Sequence, residues 1–310
     1  MPTDSAQALR HLPWEIGVPK PDATIVVDDL VRSFGGLTAV AVEHLEIQRG
    51  CITGLIGPNG AGKTTMFNLL TGFDQPNTGR WSFDGRSLGR LKPHQVARLG
   101  VVRTFQLTKA LSRLSVLENM KLGAQQQRGE RFLNALLPGW KSQERDIEAR
   151  AMELLDRFKL DAKAQDFAGT LSGGQRKLLE MARALMSQPK VVMLDEPMAG
   201  VNPALTQSLL EHVKNLREEG MTVVFVEHDM DVVRDISDWV VVMAAGRVIA
   251  EGPPESISQN KDVVDAYLGA HHDAPLTVEE EELVLAEAEV AIAAEKAGDA
   301  DLPTETTRGL

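Results

Sequence analysis

Short apolar runs bounded by turn residues alternate along this chain with stretches in which apolar residues recur every three or four positions. Val191–Leu194 and Val223–Val226 are apolar throughout, as expected of parallel strands buried on both faces. Cys51–Ile56 is a further short apolar strand, and Trp239–Met243 and Val248–Ile249 flank a turn at Gly246–Arg247. Ala23–Val27, continued by Leu30–Phe34, precedes a Gly35–Gly36 turn, and Val40–Ile47 alternates as its partner strand. Trp81–Phe83 also alternates, and Gly100–Gln106 reads as a strand with a polar end. Helical spacing appears at Met66, Phe67, Leu69 and Leu70, and in a short helix opened by Pro93. It returns along Leu178, Leu179, Met181, Ala182 and Leu185, in a helix capped by Ser172. Asn202–Pro203 caps and opens another helix. Short helices are expected after Pro253–Pro254 and over Val263–Leu268.

From Leu111 to Leu160 the pattern is helical only, which predicts an inserted helical subdomain at about residues 107–188. Ser115 and Glu118 form a capping box there, and Glu144–Phe158 is amphipathic. Arg131–Trp140 is amphipathic too, and reads either as a packed helix stub or as a surface for a membrane or partner. Residues 1–22, with Pro2, Pro13, Pro19 and Pro21, read as an extended leader, mobile or draped on the surface. Residues 271–310 form a separate acidic tail, with helical spacing at about 278–297. A helix of that length is marginal without a docking surface, so both a loose tail and a docked element fit.

Composition adds limits rather than an identity. With 43% hydrophobic and 25% charged residues, the 310-residue chain has ample core. No apolar run reaches the ~18–20 residues that span a bilayer, so membrane contact is expected through a partner. The lone Cys51 excludes an internal disulfide and reads as a buried structural thiol. The tail from His271 carries −9 of the net charge of −11, leaving the rest near neutral. That balance does not fit a nucleic-acid binder.

The candidate chemistry begins at Gly57–Thr64, which reads G-x-x-x-x-G-K-T between an apolar strand and a helical pattern. Glycines there let successive N–H groups form an anion nest at a helix start. Asn59, Gly60, Ala61, Gly62 and Thr65 line that loop. Lys63 can reach the β- and γ-phosphates, and Thr64 offers a hydroxyl to Mg²⁺. A chance glycine-rich turn would not carry these flanks. Four apolar residues ending in Asp195 supply a metal-holding carboxylate at the same sheet edge, and Glu196 is placed to deprotonate an attacking water. Phe34, at a strand end before the loop, fits either core packing or stacking on an adenine ring.

Leu171–Gln175 reads LSGGQ, and in this order with the phosphate loop and Asp195 it resembles the signature of ATP-binding-cassette ATPases. The resemblance covers residues ~23–270. It implies an α/β fold: a P-loop NTPase core of mainly parallel sheet flanked by helices, with an antiparallel β subdomain and the inserted α-helical subdomain. It implies that ATP and Mg²⁺ are the cofactors, that Gln106 senses the metal and attacking water, and that His228 is the switch histidine. Phe34 then falls where the family stacks an aromatic on adenine. Two cassettes would pair head to tail around two ATP molecules, with Ser172, Gly173, Gly174 and Gln175 of one facing the nucleotide of the other. Glycine-rich helix starts suit that task.

Gly57–Thr65, Val101–Gln106, Ala199–Pro203 and Asp265–Gly269 together resemble the Liv-type ATPases, which drive import of branched-chain amino acids. Asn202 stands where most cassettes carry Asp, in keeping with the Liv-type pattern. The expected partners are transmembrane permease subunits at the cytoplasmic membrane face, a second cassette (different or a copy) and, indirectly, a substrate-binding protein. ATPases of urea or amide importers and of a lipopolysaccharide-type exporter are alternatives within the family. A soluble repair or translation cassette would need long coiled coils or two cassettes, and neither is present. A binding scaffold without turnover is disfavoured by Glu196, His228 and Lys63 together.

Overall fold

The computed structural model describes residues 4–104, 111–125 and 140–271. Its centre is a six-stranded sheet built from β3 (Ile52–Ile56), β6 (Val101–Arg103), β7 (Val191–Asp195), β8 (Thr222–Val226), β9 (Trp239–Ala244) and β10 (Arg247–Gly252). Their order is β6–β7–β8–β3–β9–β10, parallel throughout except for the antiparallel β9–β10 hairpin. Every residue of β3, β7 and β8 is buried, which is why Val191–Leu194 and Val223–Val226 read as apolar runs.

A second sheet is antiparallel, ordered β2–β1–β4–β5 from β1 (Ala23–Phe34), β2 (Leu37–Gln48), β4 (Thr78–Phe83) and β5 (Arg86–Ser87). Its register places Val27 opposite Leu45 and Trp81. One apolar cluster joins Val27, Leu30 and Val40 of this sheet to Leu55, Val241 and Met243 of the other. Met66 and Phe67, from α2 (Lys63–Leu70), lie in the same cluster.

Ser115 caps the helix Val116–Lys121, with both capping-box bonds to Glu118 formed. The amphipathic stretch after Glu144 lies in the helix Trp140–Arg157. The rest of the amphipathic segment from Arg131, and the tail beyond His271, lie outside the described residues. The chain divides into two compact units, with a boundary at Ala266/Tyr267 inside the last described helix, Lys261–His271.

The first residues depart from expectation. Asp4–Leu9 is helical (α1), with Ala6 and Leu9 buried, and Val18 and Lys20 are buried as well. Glu251 of β10 holds the stretch from Gly17 to Lys20. It accepts hydrogen bonds from Gly17 N, Val18 N, Lys20 Nζ at 2.7 Å and Trp239 Nε1 at 2.9 Å. Lys20 Nζ also lies 4.5 Å from the Trp239 ring centre. Burial pulls the Lys20 ammonium below its usual range, and the Glu251 charge opposes that pull. Local periodicity cannot reveal a clamp whose halves lie 231 residues apart. Cys51 is fully buried, and burial pushes its thiol up to about 12, so it is inert.

His212 lies on the helix Pro203–Glu218 and stacks on Phe158, with ring centres 4.3 Å apart. Burial lowers its pKa, helped by the positive charges of Arg157 and Lys159. The folded protein therefore binds this proton less readily than the unfolded chain, whose imidazole titrates near ~6.5. Stability from this site is fully present above that value and is lost as pH falls toward the lower folded pKa. Urea midpoints measured from pH 7.5 to 5 should fall, and His212→Gln should flatten the slope. An unchanged slope would place the acid sensitivity elsewhere.

Candidate active site

The phosphate loop leaves β3 at Gly57, whose φ is 147°, and enters α2 through Gly62, whose φ is 97°. Both conformations strain any side chain, and space forbids one too. A Cβ on Gly57 would lie 2.0 Å from the Met243 carbonyl oxygen, and one on Gly62 would lie 2.3 Å from that of Ala39. Gly246 N donates to Ala61 O at 3.1 Å, and Ala41 N donates to Gly246 O at 2.7 Å, so the β9–β10 turn braces the loop. Asn59, Gly60 and Thr64 are exposed, Thr65 is half-buried and Ala61 is buried. Lys63 Nζ donates to Gly57 O at 2.6 Å and to Pro58 O at 2.9 Å. Burial lowers its pKa, and the charges of Glu196 and Asp195 oppose this.

Neighbouring strand ends bring the acids to the loop. Asp195 closes β7, is 4% exposed, and pairs with the buried Arg103 at the end of β6. The same guanidinium donates to Asn68 Oδ1 on α2. Arg103 therefore ties the phosphate-loop helix to the Asp195 strand. It was visible in the sequence only as part of a family-like segment. An arginine at the end of an apolar strand calls for an anion nearby, and that is the signal the sequence offers.

Glu196 follows in a left-handed conformation, φ 47°. Its N–H donates to Val226 O at 3.0 Å, and its carbonyl accepts from Lys177 Nζ at 2.8 Å. Glu227, at the end of β8, is 1% exposed, and burial raises its pKa. One of its oxygens accepts from Met198 N at 2.9 Å, and the other lies 3.9 Å from His228 Nδ1. His228 itself is exposed. Lys177 and Glu227 were not foreseen as site residues.

Phe34 is 49% exposed, which removes core packing as its explanation, and the Arg32 guanidinium covers its ring at 4.3 Å. The signature turn starts the helix Gly173–Leu185. Ser172 Oγ accepts from Gln175 N, and Gln175 Oε1 accepts from Ser172 N, so the glutamine closes the cap. Gly173 meets nothing within 4 Å of a would-be Cβ, whereas Gly174 packs on Leu205. Gln106 lies outside the described residues.

A loop of backbone donors with a lysine, beside an acid pair and a histidine at the ends of β3, β7 and β8, defines a P-loop nucleotide hydrolase. Residues 42–199 match the family described as ABC transporter, and residues 247–273 match the one described as branched-chain amino acid ATP-binding cassette transporter. The chain is 42% identical over 246 residues to the high-affinity branched-chain amino acid transport ATP-binding protein BraF of Pseudomonas aeruginosa. It is equally identical over 246 residues to LivG of Escherichia coli K12, described in the same words. Each match covers 78% of this chain and 96% of the relative. A crystal structure of a nucleotide-free ATP-binding cassette from an ABC transporter superposes with a TM-score of 0.70 at 35% identity, covering 79% of this chain and 98% of that one. The chain belongs to the ABC transporter family as an ATP-binding, ATP-hydrolysing cassette.

The crowding at Gly57 generates a contrast with Gly60, where φ is 78° but a Cβ meets nothing. Gly57→Ala should cost about 3 kcal/mol or more, and Gly60→Ala about 1 kcal/mol, in urea unfolding. Equal losses would show that Met243 moves aside without cost.

Proposed function

We propose that this chain is the ATPase subunit of an importer of branched-chain amino acids, bound to transmembrane permease subunits at the cytoplasmic membrane face. The observation that carries this reading is the pairing of the strand-end site with the 247–273 match to the branched-chain family. Among the described residues no helix is long and apolar enough to cross a membrane. A cavity of about 280 Å³ lined by Val102, Arg103, Thr104, Leu122, Glu180 and Arg183 adjoins the strand that leads to Gln106. It offers the membrane subunits a foothold beside the site.

In this mechanism the loop N–H groups and Lys63 bind the β- and γ-phosphates, and Phe34 stacks on the adenine. Among the described residues no three His, Cys, Asp or Glu side chains could hold a metal together. Thr64, with its hydroxyl at the start of α2, and Asp195, at the end of β7, would hold a Mg²⁺ ion, which would neutralise charge on the β- and γ-phosphates. Gln106 would complete that set. Glu196 takes a proton from water as its oxygen attacks the γ-phosphorus, and the bond to the ADP oxygen breaks. His228 holds the γ-phosphate. Ser172, Gly173 and Gly174 cap the nucleotide of a second cassette, with Gln175 fixing their turn. The second cassette is a different chain in this reading, and a substrate-binding protein delivers the amino acid.

Glu196→Gln should keep ATP binding, lose turnover by about a hundredfold or more, and accumulate an ATP-dependent cassette dimer by size-exclusion chromatography. Unchanged hydrolysis would remove Glu196 from the role of base. Purification of the chain from its native membrane should bring down two membrane subunits and a second cassette. Recovery of export-bridge components, or of no membrane protein, would overturn the import reading.

A further inference from the structure

The segment between Glu196 and the helix Pro203–Glu218 rests on the signature helix of the same chain at two points. Lys177, one turn into that helix, donates to the Glu196 carbonyl at 2.8 Å. Gly174 approaches Leu205 so closely that a Cβ would fall 2.0 Å from Leu205 Cδ2 and 3.6 Å from Val201 Cγ1. On its other side the segment is pinned through Met198 N to Glu227, the neighbour of His228.

Lys177 is half-buried. A lysine that gives up much of its hydration to reach one backbone oxygen is a costly way to satisfy a carbonyl. Burial lowers its pKa, and the charges of Glu227, Glu180 and Glu196 oppose that pull. The residue it holds is the one whose left-handed φ of 47° needs fixing from outside.

We infer that Lys177 is a positioning residue that ties the general base Glu196 to the signature turn of its own chain. Because that turn faces the nucleotide of the opposite cassette, Lys177 makes alignment of each base depend on occupancy of the other site. The second half of this inference rests on the head-to-tail dimer proposed above. Closure of Ser172–Gly174 on a γ-phosphate shifts the signature helix as a rigid rod, and Lys177 transmits the shift to the Glu196 backbone. A displacement of ~1 Å at a catalytic group is enough to change rate by about a hundredfold.

The test uses the full chain with the membrane subunits that copurify with it, comparing wild type, Lys177→Met and Lys177→Arg. Lys177→Met should lower kcat about ten- to a hundredfold with KM for ATP within about twofold, and Lys177→Arg should restore most of the loss. Wild-type turnover should be cooperative in ATP, and Lys177→Met should lose that cooperativity. Unchanged kcat in Lys177→Met overturns the proposal. So does a joint loss of kcat and ATP affinity that follows a lowered melting temperature and is not rescued by arginine, since that marks a purely structural lysine. The dimer reading is tested separately by the ATP-dependent dimer of Glu196→Gln. If it fails to form while Lys177→Met still loses kcat, the cross-site half is overturned and the tie to Glu196 stands.

Discussion

Two backbone carbonyls, those of Met243 and Ala39, occupy the space that side chains would need at Gly57 and Gly62. Met243 belongs to the parallel sheet and Ala39 to the antiparallel one. The phosphate loop is therefore the seam between the two sheets, with the Gly246 turn closing it from a third side. Everything else at the site is referred to that seam. α2 leaves it with Lys63 and Thr64, and Asn68 on α2 holds Arg103, which holds Asp195. A loop so confined keeps its N–H groups oriented before any anion arrives, which is the state in which fixed dipoles bind most strongly.

The acids at the sheet edge have contrasting surroundings. Asp195 has a permanent cation against it, whereas Glu227 is buried against a backbone N–H, and burial raises its pKa. Glu196, next to Asp195 in the chain, is held by its backbone. The segment from Glu196 to Asn202 thus has its fixed points on three elements, β8, the signature helix and the helix that Asn202 caps. Motion in any of them reaches the carboxylate through one covalent stretch of chain.

Much of this was legible beforehand, for physical reasons. β7 and β8 carry apolar side chains at all but their end positions because both faces are covered. Ser115, Ser172 and Asn202 announced helix starts because capping is a local bargain between neighbours in sequence. Residues whose role depends on distant partners were not legible. Lys20 needs Glu251, Arg103 needs Asp195, and Lys177 needs a carbonyl on another element. None of these partnerships leaves a periodic trace. The leader read as extended, mobile or draped on the surface, for the same reason: its prolines break periodicity while its anchors lie at the far end of the cassette.

The clamp on Glu251 has a consequence for how the protein is made. Gly17, Val18 and Lys20 emerge from the ribosome early, but the carboxylate they require lies on the last strand of the sheet. β3 likewise waits for β8 and β9 to flank it. Pairings of such long span are slow to form, because the chain loses entropy before the contacts repay it. The cassette cannot close while it is being synthesised from its N-terminus. β1, β2 and β4 can pair early as a local antiparallel sheet, but the parallel sheet and the Glu251 clamp wait until β8, β9 and β10 have been made.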